Sequence, residues 1–216
     1  MAKLASQAKK TVDSYFADLE QKFVKKYVTK IPSWLETYHL TLLTILWSLG
    51  ILYFSYLARN NINWLWLCSL MVLLQYFSDL FDGAVGRLRN TGLVKWGFYM
   101  DHFLDYVFMC SIIIGYSFLL PQFTYHYLIL VAISAGYMIN AFLRFGAIQQ
   151  FNITYLKAGP TEMRAFIIIL NTIIIYYGIN VFADYFNHLL FLLGIVLIGI
   201  VYLEQKRIWK VDMKNK

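Results

Sequence analysis

Four of the twelve acidic residues in this 216-residue chain fall between positions 79 and 105: Asp79, Asp82, Asp101 and Asp105. They come as two pairs, three and four residues apart, and either spacing puts both carboxylates on one face of a helix. The first pair closes the apolar run WLWLCSLMVLLQYFS and the second opens another. A hairpin between the two helices would bring the pairs together at one membrane depth. Four negative charges do not stand unpaired beside hydrocarbon, where each costs about 2.5–3.5 kcal/mol even on lenient scales. Arg87 and Arg89 offset part of this charge, but two converging pairs call for one or two divalent ions. An all-carboxylate oxygen set favours Mg²⁺ or Mn²⁺ over zinc, and Mg²⁺ commonly binds together with substrate phosphates. Asp79 alone would pass as a helix-end residue and Asp101 as a helix N-cap. Neither explanation covers the quartet.

The residues between the pairs extend the chemistry. Gly83 and Gly86 carry no side chain, so backbone can approach a bulky ligand closely. Arg87 adds a planar, permanently charged fork suited to phosphate. These sit in a polar stretch, read as a loop from Asp82 to Gly97.

The elements that must hold this constellation are membrane helices. The chain is 60% hydrophobic and 19% aromatic, with a mean hydropathy of +0.56; an ordinary soluble domain is roughly 45–50% apolar. Apolar runs at 40–58, 64–81, 103–120, 127–148, 165–183 and 188–203 are read as six transmembrane helices. The expected fold is therefore an all-α membrane protein. Residues 1–38 form a cytoplasmic juxtamembrane segment, 39–205 the six-helix domain and 206–216 a basic cytoplasmic tail. Within TVDSYFADLEQKFVKKYVTKI, the residues Val12, Tyr15, Phe16, Leu19, Phe23, Tyr27 and Ile31 recur at helical spacing, with lysines mostly opposite. That pattern is an interfacial amphipathic helix, or one packed on a partner protein. Trp34, Trp64, Trp66 and Trp209 fall near span boundaries, as interfacial anchors do.

Charge gives the orientation. The formal net charge is +7, and with six spans almost every Lys and Arg flanks the spans on one side, Arg59 excepted. The positive-inside rule makes that side cytoplasmic, together with both termini and the aspartates. The basic excess beside spans suits anionic lipid headgroups rather than nucleic acid. The first forty residues hold seven lysines and no apolar core of the kind a signal peptide needs. Cys68 and Cys110 are too few for a disulfide framework or a zinc site and are read as packing residues.

The block DLFDGAVGRLRNTGLVKWGFYMDHFLD resembles the signature of the CDP-alcohol phosphotransferases, D-x2-D-G-x2-A-R, eight or nine residues, then G-x3-D-x3-D. The matching positions are Asp79, Asp82, Gly83, Arg87, Gly97, Asp101 and Asp105, with Gly86 where the family has alanine and nine residues between Arg87 and Gly97. The resemblance implies that the first three aspartates hold divalent metal, while Gly83, Gly86, Arg87 and Gly97 cradle the nucleotide. It makes Asp105, beside the metal, the general base for the attacking alcohol. It implies a CDP-alcohol donor and an alcohol acceptor, one of them a lipid, release of CMP, and a homodimer.

The substrate pair stays open between two branches: CDP-diacylglycerol with a small polar alcohol, or CDP-choline or CDP-ethanolamine with a diacylglycerol. His102, directly after Asp101, and the segment GPTE (Gly159 to Glu162) are similar to the second branch. Arg144, Lys157 and Arg164 could instead grip an acceptor phosphate, although Lys157 and Arg164 also fit the positive-inside pattern alone. Arg144, among apolar residues, calls for an acid or a phosphate. His39 either caps the first span or faces substrate. Outside the family, four carboxylates could serve a divalent-cation transporter, but such sites sit near the membrane middle between repeat halves, and no repeat is apparent.

Overall fold

The structure, a computed structural model, describes residues 16–91, 93–149, 159–183 and 185–214. Val12, Tyr15 and Lys157 of the sequence reading lie outside the described residues. Among those described, the secondary structure is helical with no strand: α1 (Ala17–Tyr27), α2 (Thr37–Ala58), α3 (Leu65–Arg89), α4 (Val94–Leu119), α5 (Thr124–Ile148), α6 (Pro160–Tyr177), the short α7 (Asn180–Ala183) and α8 (Phe186–Lys214). The fold class is the one expected from the apolar runs.

Among the described residues, five helical segments are long and apolar enough to cross a membrane: 37–58, 62–89, 94–119, 121–148 and 186–213. The fifth of the six expected spans, 165–183, overlaps α6, which falls short by this measure and ends at Tyr177. It has 18 residues, and Glu162, Arg164 and Asn171 dilute its run of isoleucines.

The chain divides into two compact units. One contains α1 to α4 and α6. Its packing inverts the soluble pattern, because lipid solvates large apolar side chains and leaves small ones for helix contact. Helix α2 buries Thr37, Thr41, Thr44, Ser48, Ile51, Ser55 and Ala58, spaced alternately three and four apart, while Leu42, Leu46, Leu49, Tyr53 and Tyr56 stay exposed. Small residues let backbones approach. A Cβ added to Gly115 of α4 would lie 2.5 Å from the Ser55 hydroxyl oxygen. The apolar centre between α2, α3 and α4 is Ile51, Val72 and Phe108, with Ile167 and Ile168 of α6 packed against it. Asn171 shows how a polar side chain inside can be satisfied by neighbouring helices, as a bilayer favours. Asn171 of α6 accepts from the Tyr116 hydroxyl at 2.6 Å and donates to Ser69 Oγ at 3.0 Å. Cys68 is buried and Cys110 half-buried, both as free thiols.

Helix α1 is amphipathic, as its spacing implies, but part of its apolar face is covered by the chain itself. Val24, Tyr27 and Val28 pack on Phe81, Ala84 and Val85 of α3, whereas Phe16 and Leu19 remain exposed. That packing also explains a departure from expectation. Rather than looping from Asp82 to Gly97, the chain stays helical through Gly83 and Gly86 to Arg89, and α4 begins at Val94. The glycines disfavour helix intrinsically, but burial of Ala84 and Val85 under α1 overrides them. The helix ends at Asn90, which takes the left-handed conformation (φ 55°) that asparagine tolerates. Arg89 then turns away from the aspartates and donates to the carbonyls of Ile31, Pro32, Ser33 and Leu35, tying the α1–α2 connection to α3.

The second unit contains α5, α7 and α8. There α5 and α8 meet closely enough that a Cβ on Gly136 would lie 2.8 Å from a Leu197 methyl, and the Tyr137 hydroxyl donates to the Leu193 carbonyl. Trp34, Trp64, Trp66 and Trp209 are all exposed.

Candidate active site

Helices α3 and α4 follow one another in the chain and each packs on α2, and this arrangement brings Asp79 to Asp101 and Asp105. Carboxylate oxygens of these three residues lie within 4.8 Å of one another. Asp82 stands outside that triad. Its Oδ2 accepts from the Thr41 hydroxyl of α2 at 3.0 Å, and its backbone carbonyl accepts from Thr37 at 3.2 Å. So α2 fixes the fourth carboxylate against the wall of the site.

A cation sits among them. Arg164, from the first turns of α6 and only 8% exposed, places Nη2 2.9 Å from Asp79 Oδ2 and 3.5 Å from Asp105 Oδ1. Sequence reading weighed Arg164 as a flank residue or acceptor contact and did not place it between two aspartates. Gln75, one turn before Asp79 and almost fully buried, donates from Nε2 to Asp105 Oδ1 at 3.1 Å. Sequence reading missed Gln75 and Thr41. The available signal was a glutamine in an otherwise greasy run, four residues from an aspartate. His102 Nδ1 lies 3.2 Å from Asp101 Oδ2, with its ring against Phe98.

The three-carboxylate cluster fits a hard divalent ion. Octahedral Mg²⁺–O distances of about 2.0–2.1 Å put opposite ligand oxygens roughly 4.2 Å apart, so oxygens within 4.8 Å need only a small inward shift. One guanidinium against four aspartates also leaves a negative excess for a cation to meet.

The nucleotide-cradle residues have distinct settings. Arg87 is exposed and folds back over Gly83, where an added Cβ would lie 3.2 Å from its Nη1. Gly86 is buried in α3, and its carbonyl accepts from the Asn90 and Thr91 amides at the helix end. Gly97 faces open space, with nothing within 4 Å of where a Cβ would be.

Three other residues have structural partners. His39 closes a capping box at the start of α2, its Nδ1 accepting from the Glu36 amide at 3.1 Å. Glu162 does the same for α6, accepting from the Gly159 amide at 2.8 Å, so GPTE is a helix start with Pro160 at the first position. Arg144, buried in α5, pairs with Glu204 of α8 at 2.7 Å, the acidic partner its apolar setting calls for.

A family model for CDP-alcohol phosphatidyltransferases matches residues 36–205. The chain belongs to that family. No curated protein and no solved structure matches it. Membership makes the chain an integral membrane transferase of the CDP-alcohol type, acting in phospholipid synthesis on a CDP-alcohol and an alcohol, one of them a lipid. The family is typically metal-dependent, in keeping with the aspartate cluster.

Proposed function

We propose that the chain transfers a substituted phosphate from a CDP-alcohol to an acceptor alcohol, releasing CMP, at the site formed by Asp79, Asp82, Asp101 and Asp105. The observation that carries this reading is the convergence of three carboxylates from α3 and α4 within 4.8 Å, inside the family-matched residues. Asp79, Asp82 and Asp101, with Asp105 beside them, would hold Mg²⁺ or Mn²⁺, in one or two ions. When bound, the metal neutralises the pyrophosphate and stabilises CMP as leaving group. Asp82, whose Oδ2 accepts from Thr41, would offer its other oxygen. Gly97 of α4, with open space where a Cβ would be, and Gly83, Gly86 and Arg87 of α3 would cradle the nucleotide.

Asp105 takes the proton. Gln75 and Arg164 both engage Oδ1, so Oδ2 is the oxygen assigned to the acceptor hydroxyl. The alcohol oxygen attacks the phosphorus distal to cytidine, the P–O bond to CMP breaks, and the hydroxyl proton passes to Asp105. Arg164 holds Asp79 and Asp105 in register while this happens. His102 orients Asp101.

Residues 39–205 form the catalytic membrane domain, flanked by cytoplasmic segments 1–38 and 206–216. Helix α6 crosses as a sixth span. Its polar residues are satisfied by α3 and α4 through Asn171 and Arg164, which removes the cost that hydropathy alone assigns them. Both termini and the site then face the cytoplasm, and the family resemblance supports a homodimer. The test is a CMP-release screen crossing CDP-diacylglycerol, CDP-choline and CDP-ethanolamine with glycerol phosphate, inositol phosphate, serine and diacylglycerol. CMP should appear with one donor class. Its absence with every pair would reject the reading.

A further inference from the structure

We infer that Glu20, on α1 and outside the family-matched residues, is a positioning residue that clamps α6 to α3 and so sets Arg164 against the aspartates. A single carboxylate oxygen, Glu20 Oε1, accepts two hydroxyl donors from different helices: Tyr76 of α3 at 3.2 Å and Thr161 of α6 at 2.8 Å. Each donor stands three residues before a member of the site. Tyr76 precedes Asp79 by one turn, and Thr161 precedes Arg164 by one turn. Asp79 and Arg164 themselves meet at 2.9 Å. The two helices are thus joined at two successive rungs, Tyr76–Glu20–Thr161 and Asp79–Arg164. The rungs touch, because the Arg164 guanidinium carbon lies 6.0 Å from the Tyr76 ring centre, within reach of a cation–π contact.

Helix α1 delivers Glu20 to this place by packing. Phe23 sets its ring centre 5.9 Å from those of Phe77 and Phe81. Val24 and Tyr27 continue the same contact along α3. Residues 20, 23, 24 and 27 form one helical face; its apolar members seat the helix and its acidic member reaches the site. Hydrogen bonds to an ionised acceptor are roughly twice as strong as neutral ones. An ordinary surface glutamate satisfied by water would not gather two donors from helices far apart in sequence. The segment before the catalytic core therefore completes the alignment of the first turns of α6, from which Arg164 reaches Asp79 and Asp105.

The activity readout rests on the phosphotransfer reading, and a second readout does not. The full chain in lipid nanodiscs is compared with Glu20→Ala, Glu20→Gln and the double variant Tyr76→Phe/Thr161→Val. Glu20→Ala should lower kcat for CMP release about tenfold, roughly the effect of one charge-assisted hydrogen bond, with KM for the CDP-alcohol changed less than about twofold. Glu20→Gln, which keeps an acceptor oxygen, should recover most of the loss. Adding Glu20→Ala to the double variant should cause no further fall, since the partners are already gone. In parallel, backbone hydrogen exchange across residues 163–168 should rise in Glu20→Ala and stay near wild type in Glu20→Gln. Unchanged kcat and unchanged exchange in Glu20→Ala overturn the clamp, as does an equal loss in Glu20→Gln. Should the wild-type chain release no CMP from any donor, the functional reading fails, and exchange alone decides the clamp.

Discussion

Asp105 receives Gln75 and Arg164 on the same oxygen, which divides its carboxylate into a held atom and a working one. Asp105→Asn should cut CMP release by at least about a hundredfold, the low end for a lost general base. Donor binding, followed by calorimetry, should stay within a few-fold; undiminished turnover would remove Asp105 as the base. Gly97 makes a complementary case. Since nothing lies within 4 Å of an added Cβ, Gly97→Ala should leave thermal unfolding unchanged while raising KM for the CDP-alcohol. The pairing of Asp101 with Asp105 on one face was legible in sequence because a spacing of four needs only helical periodicity, and Asp79 joins them in the fold while Asp82 stands against Thr41. Arg164, Gln75, Thr41 and Glu20 were not legible, because their approach depends on how separate helices pack, and no local spacing encodes that.

Helices α2 and α4 approach through small residues, Ser55 meeting Gly115. Gly115→Ala would put a methyl 2.5 Å from Ser55 Oγ and 3.0 Å from its Cβ. Overpacking of this kind should cost about 1–3 kcal/mol, seen as a lower unfolding temperature in detergent. An unchanged temperature would mean that α2 and α4 adjust freely. The apolar runs located each long helix. The end of α3 was misread, because Gly83 and Gly86 signal a loop only when nothing covers them, and α1 covers Ala84 and Val85. His39 and the GPTE segment carried two readings in sequence, and the capping boxes supply each with a structural partner.

Over the whole molecule, the question is whether α6 crosses. Six crossings put both ends of the chain on one side, five on opposite sides. In a background lacking Cys68 and Cys110, single cysteines at positions 10 and 210 should be labelled by an impermeant thiol reagent only from the cytoplasmic face, and one at position 61 only from the other. Labelling of 10 and 210 from opposite faces would leave α6 as a half-buried helix. Composition made the membrane class legible and was read as six spans, whereas the polar residues of α6 keep it below the hydropathy of the other five and are satisfied only in the fold. The central claim, that the aspartate cluster performs metal-dependent phosphotransfer, is tested most directly by CMP release from a CDP-alcohol in nanodiscs after chelation and after return of Mg²⁺ or Mn²⁺. Release should stop with chelator, return with either ion, and fail to return in Asp82→Asn. Undiminished release in chelator would contradict it.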